Sequence, residues 1–371
     1  MTRNEQPAPQ VPKQQATGWR QVIGLAALLM FAVAAGRLFE SLGAPLPWMI
    51  GPLVGTALIF MTIAPRVTVP TRIRPAGQIV VATQVGLAFS PDALRMLVDM
   101  APLMVGMALA TGLCVTIISV VIARLTGQSL AQSVLATVPS SPVEAATMAT
   151  AASIAPMPVI YAQTLRLAAV VIVVPFALYA IEGWPEGGRA PVTWAVPEVL
   201  PVLMLAAMGV AGAGLFRMLR IANPNFLGPL ALAAGVAATG HAPAAFPPEV
   251  LALAQVVLGT WLGATFRRDF VTSALGLTAV SLASSLSLLA LCSACAVGLA
   301  AVSGVDWQTL VLAAAPGGVV EMALTAKFLA QNAVLITTFH LVRIFLFIPN
   351  VPWIVRLIVR FEARKHRKAP E

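Results

Sequence analysis

The feature that most constrains this chain is the length of its uncharged apolar stretches. Residues 102–123 contain no charged side chain, and residues 271–304 extend one uncharged run over 34 positions. A helix that spans the hydrocarbon core of a bilayer needs about 20 such residues. Only 10% of the chain is charged and its mean hydropathy is +0.89, whereas soluble domains are about 25% charged. The sequence therefore predicts an all-α polytopic membrane protein.

An internal repeat divides the apolar part of the chain into two halves. A shift of 177 positions places residues 47–53, which end in Gly-Pro-Leu, on residues 224–230, which end in the same way. Each half also contains a glutamate followed 22 positions later by an arginine, and the four residues are Glu144, Arg166, Glu321 and Arg343. Chance similarity between leucine-rich segments does not produce shared Pro, Glu and Arg residues at fixed separations. We therefore predict an internal duplication.

The repeat and the composition together predict five parts of the chain. They are a disordered cytoplasmic tail at 1–20, a first membrane repeat at 21–181, an external linker at 182–197, a second membrane repeat at 198–357 and a basic cytoplasmic tail at 358–371. Each repeat contains six apolar segments, and the fifth is interrupted at 139–142 or at 316–318. A proline within a helix removes a backbone hydrogen bond. In lipid such a break persists only where protein or a water-filled cavity satisfies the backbone.

The distribution of basic residues predicts the topology. If every segment crossed the bilayer, Arg217, Arg220, Arg267 and Arg268 would lie outside, against the positive-inside tendency. If the broken fifth segment fails to cross, each copy has five crossings and the second copy is inverted. We therefore predict two inverted-topology repeats with about 10 transmembrane helices (10–12), including broken or re-entrant helices. Both termini are then cytoplasmic in a bacterial inner membrane.

Glu144 and Glu321 are the sharpest candidates for a substrate-binding site. Each follows a helix break, so each carboxylate is expected near the start of a second half-helix, where free N–H groups favour negative charge. Ionisable residues at membrane depth are costly and are usually functional. Gly317 and Gly318 let the backbone approach a ligand in the second copy. The alternative is that the glutamates are helix caps that only satisfy the backbone.

Further polar residues in apolar segments extend the candidate site. Arg166 and Arg343 either pair with the glutamates or bind a substrate carboxylate or phosphate. His340 precedes Arg343 by three positions, which places both on one helix face. Gln84 and Gln255 match at a shift of 171 positions and either face a central cavity or bond a neighbouring helix. Lys327 has no charged counterpart in the first copy, so it is either a coupling site or a snorkelling side chain.

The histidines and cysteines are too few and too scattered for a metal site. His241, His340 and His366 fall in a predicted loop, a membrane segment and a tail, without the spacing of metal ligands. The three cysteines lie in apolar runs, where a buried packing role is expected. The net charge of +9 comes from basic residues at segment ends, as orientation signals do. We expect no metal, no cofactor and no nucleic-acid partner.

Four motifs link the chain to a known family. They begin at Pro47 (PWMIGPL), Ala82 (ATQVGL), Ala254 (AQVVLGTWLGA) and Ala315 (APGGVVEMA). They resemble the AbrB family of bacterial inner-membrane proteins with an internal duplication, over about residues 20–358. Copy one has Ser140, Ser141 and Pro142 at the position of the glycines, so unequal roles for the two copies are expected.

Three functional classes follow from the residues and the resemblance. Members of the family are labelled as regulators of gene expression or as ammonia monooxygenases, but a copper oxygenase needs a histidine-rich site that this chain lacks. A secondary transporter is favoured, because inverted repeats with broken helices are typical of transporters. The alternatives are a membrane component that regulates gene expression indirectly and, least favoured, a membrane enzyme. The expected partners are the lipid bilayer and an unidentified small solute, for which the half-helix N-termini favour an anion.

Overall fold

The computed structural model describes residues 18–63, 67–183, 192, 198–221, 223–240, 243–268 and 275–368. Most of the predicted N-terminal tail, most of the predicted linker at 182–197 and the end of the basic C-terminal tail lie outside these residues, as does His241. The side chain of His366 is likewise not described. The predicted division into five parts therefore stays a prediction.

Helix is the only regular structure in the described residues. The first repeat contains α1 (Gly18–Ser41), α2 (Pro47–Thr62), a short 3-10 helix (Thr71–Ile73), α3 (Arg74–Gly86), α4 (Pro91–Asp99), α5 (Ala101–Thr126), α6 (Leu130–Thr137), α7 (Pro142–Ala151) and α8 (Pro156–Glu182). The second contains α9 (Val199–Met218), α10 (Pro224–Ala238), α11 (Pro248–Gly263), α12 (Leu275–Ser303), α13 (Trp307–Ala314), α14 (Val319–Phe328) and α15 (Ala333–Lys368).

Six of these helices are long and apolar enough to cross a membrane. They are α1, α5, α8, α9, α12 and, over Ala333–Glu362, α15. The helices α2, α10 and α11 are shorter but equally apolar. Large apolar side chains are exposed on the outer surfaces of the long helices, for example Leu113 on α5 and Leu203 on α9, as expected for a surface that faces lipid. The protein is an all-α polytopic membrane protein.

The helices pack in pairs that repeat between the two halves. α1 packs on α2 as α9 packs on α10, and α2 packs on α11 as α10 packs on α3. Glycines allow these close approaches: a Cβ added to Gly259 or Gly263 of α11 would collide with the backbone of α2. The same correspondence holds for the remaining long helices, since α5 packs on α15 as α8 packs on α12. The duplication read from the sequence is therefore present in the packing.

The broken segment of the first repeat is a re-entrant hairpin, hereafter hairpin 1 (residues 130–151). Gln128 and Gln132, at the start of α6, line a small cavity with Pro158 and Val159 from the first turns of α8. α7 ends only a short turn before α8 begins. Both ends of hairpin 1 therefore lie beside the start of α8. We call this end of the molecule end A.

The broken segment of the second repeat, hairpin 2 (residues 307–328), has the same form. Thr309 near the start of α13 donates a hydrogen bond from Oγ1 to Oε1 of Gln331, at 2.8 Å. Gln331 also donates from Nε2 to Oε1 of Gln308. Because Gln331 lies between α14 and α15, both ends of hairpin 2 lie beside the start of α15, which we call end B.

The two hairpins enter from opposite ends of the molecule. α15 begins beside hairpin 2, and its span Ala333–Glu362 of 30 residues is about 45 Å long at 1.5 Å per residue. At its other end, the carboxylate of Glu362 accepts a hydrogen bond from the backbone N–H of Leu130, the first residue of hairpin 1, at 2.7 Å. The two repeats are therefore oppositely oriented, and the broken segments re-enter rather than cross.

Candidate functional site

The tips of the two hairpins meet around a cavity inside the helix bundle. Hairpin 1 contributes Pro139, Ser140, Ser141 and Glu144. Hairpin 2 contributes a matching set: Gly317, Gly318, Val319, Val320 and Glu321. The space open to the centres of water molecules is about 60 Å³. This is room for about four to six waters, since one water needs roughly 10–15 Å³ on this measure.

The cavity lies in the interior of the helical part of the molecule. Arg166 and Arg343 contact the two hairpin tips, and each is ten residues from the start of its helix, α8 or α15. Ten helical residues correspond to about 15 Å. Because α8 starts at end A and α15 at end B, the two arginines reach the hairpin tips from opposite ends.

Arg166 and Arg343 hold the breaks in the two hairpins by binding backbone carbonyls. Arg166 donates from Nη1 to the carbonyls of Thr137 and Val138 at 3.2 and 2.9 Å, and from Nη2 to that of Ser140 at 3.2 Å. These carbonyls follow the end of α6, where the helix leaves them without intrahelical partners and the helix dipole is negative. The guanidinium therefore satisfies the backbone that the break exposes.

Arg343 has the same role in the second repeat. It is only 3% exposed and donates from Nη1 to the carbonyl of Ala315 at 2.8 Å and from Nη2 to that of Gly317 at 3.1 Å. Neither arginine forms a salt bridge with a carboxylate in the described part of the chain. Of the two predicted roles, pairing with the glutamates is therefore not seen. The position of Arg343 on the cavity wall keeps ligand binding open for it.

Glu144 belongs to a helix cap. Its Oε2 accepts a hydrogen bond from the backbone N–H of Ser141 at 3.2 Å, and Ser141 Oγ accepts from the backbone N–H of Glu144 at 3.2 Å. This reciprocal pair is a capping box, which satisfies two free N–H groups at a helix start. The capping alternative considered for the glutamates therefore describes the geometry of Glu144, although its carboxylate also lines the cavity.

Glu321 occupies the equivalent position without the equivalent cap. The N-cap residue of α14 is Gly318, which has no side chain to bond the helix start. The Glu321 carboxylate folds back over Gly318, and a Cβ at that position would overlap Oε2. Glu321 is 5% exposed, lines the cavity and receives no hydrogen bond from a side chain in the described residues. This carboxylate is therefore available to a ligand in a way that Glu144 is not.

Comparison with known proteins identifies the family. The family model described as "Transition state regulatory protein AbrB" matches residues 1–182 and again residues 156–359. This chain belongs to the AbrB family. The double match also confirms the internal duplication.

Two relatives illustrate the range of this family. "Uncharacterized protein YhjN" of Bacillus subtilis (strain 168) is 25% identical over 370 residues, which cover 92% of this chain and 94% of that protein. "Putative regulator AbrB" of Escherichia coli (strain K12) is 27% identical over 181 residues, which cover 48% of this chain and 52% of that protein. These names describe a regulator or leave the activity open, and none of them names an enzyme.

Arg74 is a cavity residue that the sequence reasoning missed. It begins α3, lines the cavity and lies over the ring of Trp261, with 4.3 Å from Cζ to the ring centroid. It interacts electrostatically with Glu321 and Glu144, but no hydrogen bond of its side chain is found in the described residues. Like the other basic residues at segment ends, it was interpreted as a charge that orients the chain in the membrane. Its aligned position in the second repeat, at a shift of 171, is the uncharged Ala245, and that asymmetry was the available signal.

The glutamines of the AbrB-family motifs do not line the central cavity. Gln84 accepts a hydrogen bond at Oε1 from the backbone N–H of Phe246 at 2.8 Å, so it bonds the loop that leads into α11. Gln255 is half-buried on α11 and is not among the cavity-lining residues. Gln78, one helical turn after Arg74, is the buried glutamine of α3 that lines the cavity.

The remaining predicted residues lie outside the cavity wall. His340 is fully buried, and its Nδ1 is 2.9 Å from the carbonyl oxygen of Ile336 in its own helix. Its neighbour Arg343 reaches the cavity, whereas the imidazole does not line it. Lys327 is exposed near the end of α14, away from the hairpin tip. This position is typical of a lysine that snorkels to the membrane surface.

Proposed function

We propose that this protein is a secondary transporter and that its solute binds in the cavity between the hairpin tips. One observation carries the proposal: two re-entrant hairpins enter from opposite ends of the molecule and meet around an interior cavity whose wall includes charged side chains. Irregular backbone at membrane depth is tolerated where it lines a cavity. Inverted repeats with a site at their interface are the arrangement by which secondary transporters expose one site alternately to the two sides.

The different burial of the two hairpins supports alternating access. Every residue from Val319 to Ala326 on α14 is buried, whereas α7 is partly exposed, with Val143 at 66%. The cavity is also lined by Arg74 and Asn223, which start α3 and α10. Arg74 packs on Trp261 near the end-A terminus of α11. The cavity is therefore flanked by residues near end A. This arrangement fits one of the two states of a transport cycle, and in the other state the two hairpins would exchange their surroundings.

Orientation in a bacterial inner membrane is part of the proposal. Arg124 precedes hairpin 1 at end A, and Arg267 and Arg268 follow Phe266, which lines a surface cavity with Met157 at the start of α8. Basic residues mark the cytoplasmic side, so we infer that end A and both termini are cytoplasmic. Reporter fusions at the C-terminus and in residues 182–198 measure this. A cytoplasmic 182–198 segment would contradict the orientation.

A binding screen followed by flux measurement tests the proposed function. Detergent-purified protein is screened for thermal stabilisation by small anions, cations and neutral metabolites, and each hit is tested for uptake into proteoliposomes. We expect at least one hit to be taken up, with uptake reduced when a methyl group is placed in the site by Gly318→Ala. Gly298→Ala is the matched control, because a Cβ there meets no other atom within 4 Å. Specific binding without any flux would contradict transport.

A membrane component that regulates gene expression indirectly is the second candidate, and the family description favours it. A change in solute concentration caused by transport would also change gene expression, so the two functions predict the same phenotype for a deletion strain. They differ for a variant that binds the solute but does not move it. Such a variant restores regulation if the protein is a sensor and fails to restore it if transport is the cause.

A further inference from the structure

The cavity wall carries a positive group and a negative group that form no salt bridge with each other and have no hydrogen-bond partner in another described residue. Arg74 and Glu321 interact electrostatically but form no salt bridge within 4.0 Å. Nε of Arg74 is buried without an acceptor among the described residues, and so is Nε of Arg343 on the same cavity wall. Buried guanidinium N–H groups without acceptors are costly, so the site is complementary to an incoming acceptor.

The start of α14 adds uncapped N–H donors to the same wall. Gly318 provides no side-chain cap, and Val319 and Val320 both line the cavity. The first N–H groups of a helix have no intrahelical acceptors and the helix dipole is positive there. At α7 the corresponding donors are occupied by the capping box of Ser141 and Glu144. An anion therefore finds donors on hairpin 2 and on Arg74, whereas at hairpin 1 the N–H groups of Ser141 and Glu144 are already bonded.

We propose, building on the proposed transport function, that the cavity binds one small monocarboxylate together with one proton, with Arg74 holding the carboxylate and Glu321 holding the proton. A planar carboxylate can accept two parallel hydrogen bonds from a guanidinium. The room for about four to six water-sized molecules is of the size of a small monocarboxylate such as acetate or lactate. Arg74 supplies one positive charge, which matches one carboxylate.

The proton is needed because a carboxylate bound at Arg74 lies beside a second carboxylate. Two like charges within a few ångströms at low dielectric repel strongly, and a buried charge without a partner is costly. When Glu321 takes up a proton, its O–H becomes a donor and the pair of carboxyl groups shares a single negative charge. Solute and proton then enter and leave the cavity together.

The elements packed around Glu321 carry other charged and titratable groups. Arg74 on α3, Arg343 on α15 and Glu144 on α7 line the same cavity, whereas Arg166 on α8, His340 on α15 and Lys327 at the far end of α14 do not. The positive groups Arg166 and Arg343 are bonded to carbonyls of the hairpin tips, and Glu144 is bonded in its capping box. Within the described residues, Arg74 and Glu321 are the charged groups on the cavity wall without a hydrogen-bond partner in another residue, and Arg74 stacks on Trp261.

Calorimetric titration of the purified protein with sodium acetate and sodium lactate tests this assignment, with chloride and phosphate at equal ionic strength as comparison anions. The wild-type protein is expected to bind acetate or lactate, to take up about one proton per anion, and to bind about tenfold more weakly for each pH unit above the titration of Glu321. Arg74→Gln should weaken binding at least about tenfold. Arg72→Gln, an exposed arginine two residues earlier, should not.

Glu321→Gln separates the two parts of the assignment. Glutamine resembles the protonated carboxylic acid, so this variant should bind the carboxylate without proton uptake and without pH dependence. Unchanged binding by Arg74→Gln, proton uptake retained by Glu321→Gln, or binding of only chloride or phosphate by the wild type would each overturn the assignment. If another class of solute is taken up and carboxylates do not bind, the transport proposal stands and the carboxylate assignment fails. If carboxylates bind but are not taken up, the carboxylate site stands and the transport proposal fails.

Discussion

Hairpins 1 and 2 occupy equivalent places in the two repeats, but their second half-helices have different surroundings. α14 packs against α3, α8 and α15 and is buried over most of its length, while α7 packs mainly on α6 and α8. The two glutamates therefore share a sequence position without sharing an environment. A duplicated chain that folds as one molecule can specialise its two copies, and here the second carries the more deeply buried carboxylate, which has no capping partner in another residue.

The caps of the two half-helices show how a small change in sequence produces this difference. Ser141 closes the start of α7 with its hydroxyl group and engages Glu144. Gly318 leaves the start of α14 open and lets the carboxylate of Glu321 fold over it. One side chain at the N-cap position thus separates a carboxylate engaged in a helix cap from one without such a partner, although both line the cavity.

The largest expected effect is a loss of stability when either buried arginine is replaced. This experiment tests whether the two hairpins are held in the same way. Arg166→Gln and Arg343→Gln each leave two or more carbonyls at a hairpin tip unpaired. We expect a loss of about 3 kcal/mol or more in stability, measured by thermal melting in detergent. Arg356→Gln is the control, because that exposed arginine bonds only its own helix. If only one hairpin variant is destabilised, the two tips are not equivalent in construction.

The next effect concerns the glutamates and directly compares the hairpins. Glu321→Gln should reduce proton-driven accumulation in proteoliposomes at least about tenfold, because the variant cannot release a proton. Glu144→Gln should reduce accumulation less, because its carboxylate is engaged in the capping box. The ratio of the two losses is the quantity to measure. Equal losses would show that both glutamates serve transport and that the cap of Glu144 opens during the cycle.

A smaller effect is expected from adding a side chain at the N-cap position of α14. Gly318→Ala keeps an allowed backbone, since φ at Gly318 is −77°, but it displaces the flexible end of the Glu321 side chain. We expect a melting temperature close to that of the wild type and a several-fold change in carboxylate affinity, about 1 kcal/mol. A variant that melts much earlier, with affinity unchanged, would show that Glu321 is a structural residue.

The smallest effect is expected from removing the hydroxyl group that caps α7. Ser141→Ala removes the hydroxyl of the capping box and should cost about 1 kcal/mol in stability, with little effect on solute affinity. Ser140→Ala is the matched control, because the Ser140 hydroxyl is buried without a partner and its removal costs no hydrogen bond. A similar loss of stability in both variants would show that the cap of α7 does not act through this serine.

The overall architecture could be predicted from the sequence because it depends on long-range regularities. Uncharged runs identify spans, and the fixed spacing from Glu to Arg identifies the duplication. The proline-rich interruption at 139–142 identifies the broken helix. Whether that segment crosses or re-enters could not be predicted, since both forms leave the same apolar pattern. The contacts of Gln128 and Gln331 with the neighbouring helix ends decide it.

The site was predicted less completely. The glutamates and glycines at the hairpin tips were found because charge and helix breaks are visible in the sequence. Arg74 was interpreted only as an orientation charge, because its role arises when α3 packs beside hairpin 2 and α11. The acidic residues Asp92 and Asp99 lie at the two ends of α4, a short helix that Ser90 caps. Such tertiary placements leave no local pattern.

The hydrogen bond between Leu130 and Glu362 has a consequence for synthesis of the protein. The two residues are 232 positions apart, so the first turn of hairpin 1 gains this partner only after a further 232 residues have been synthesised. Until then, α6 also lacks its packing on α15. Nascent chains that stop before α15 therefore hold an incomplete hairpin 1, and the first repeat is finished only together with the second.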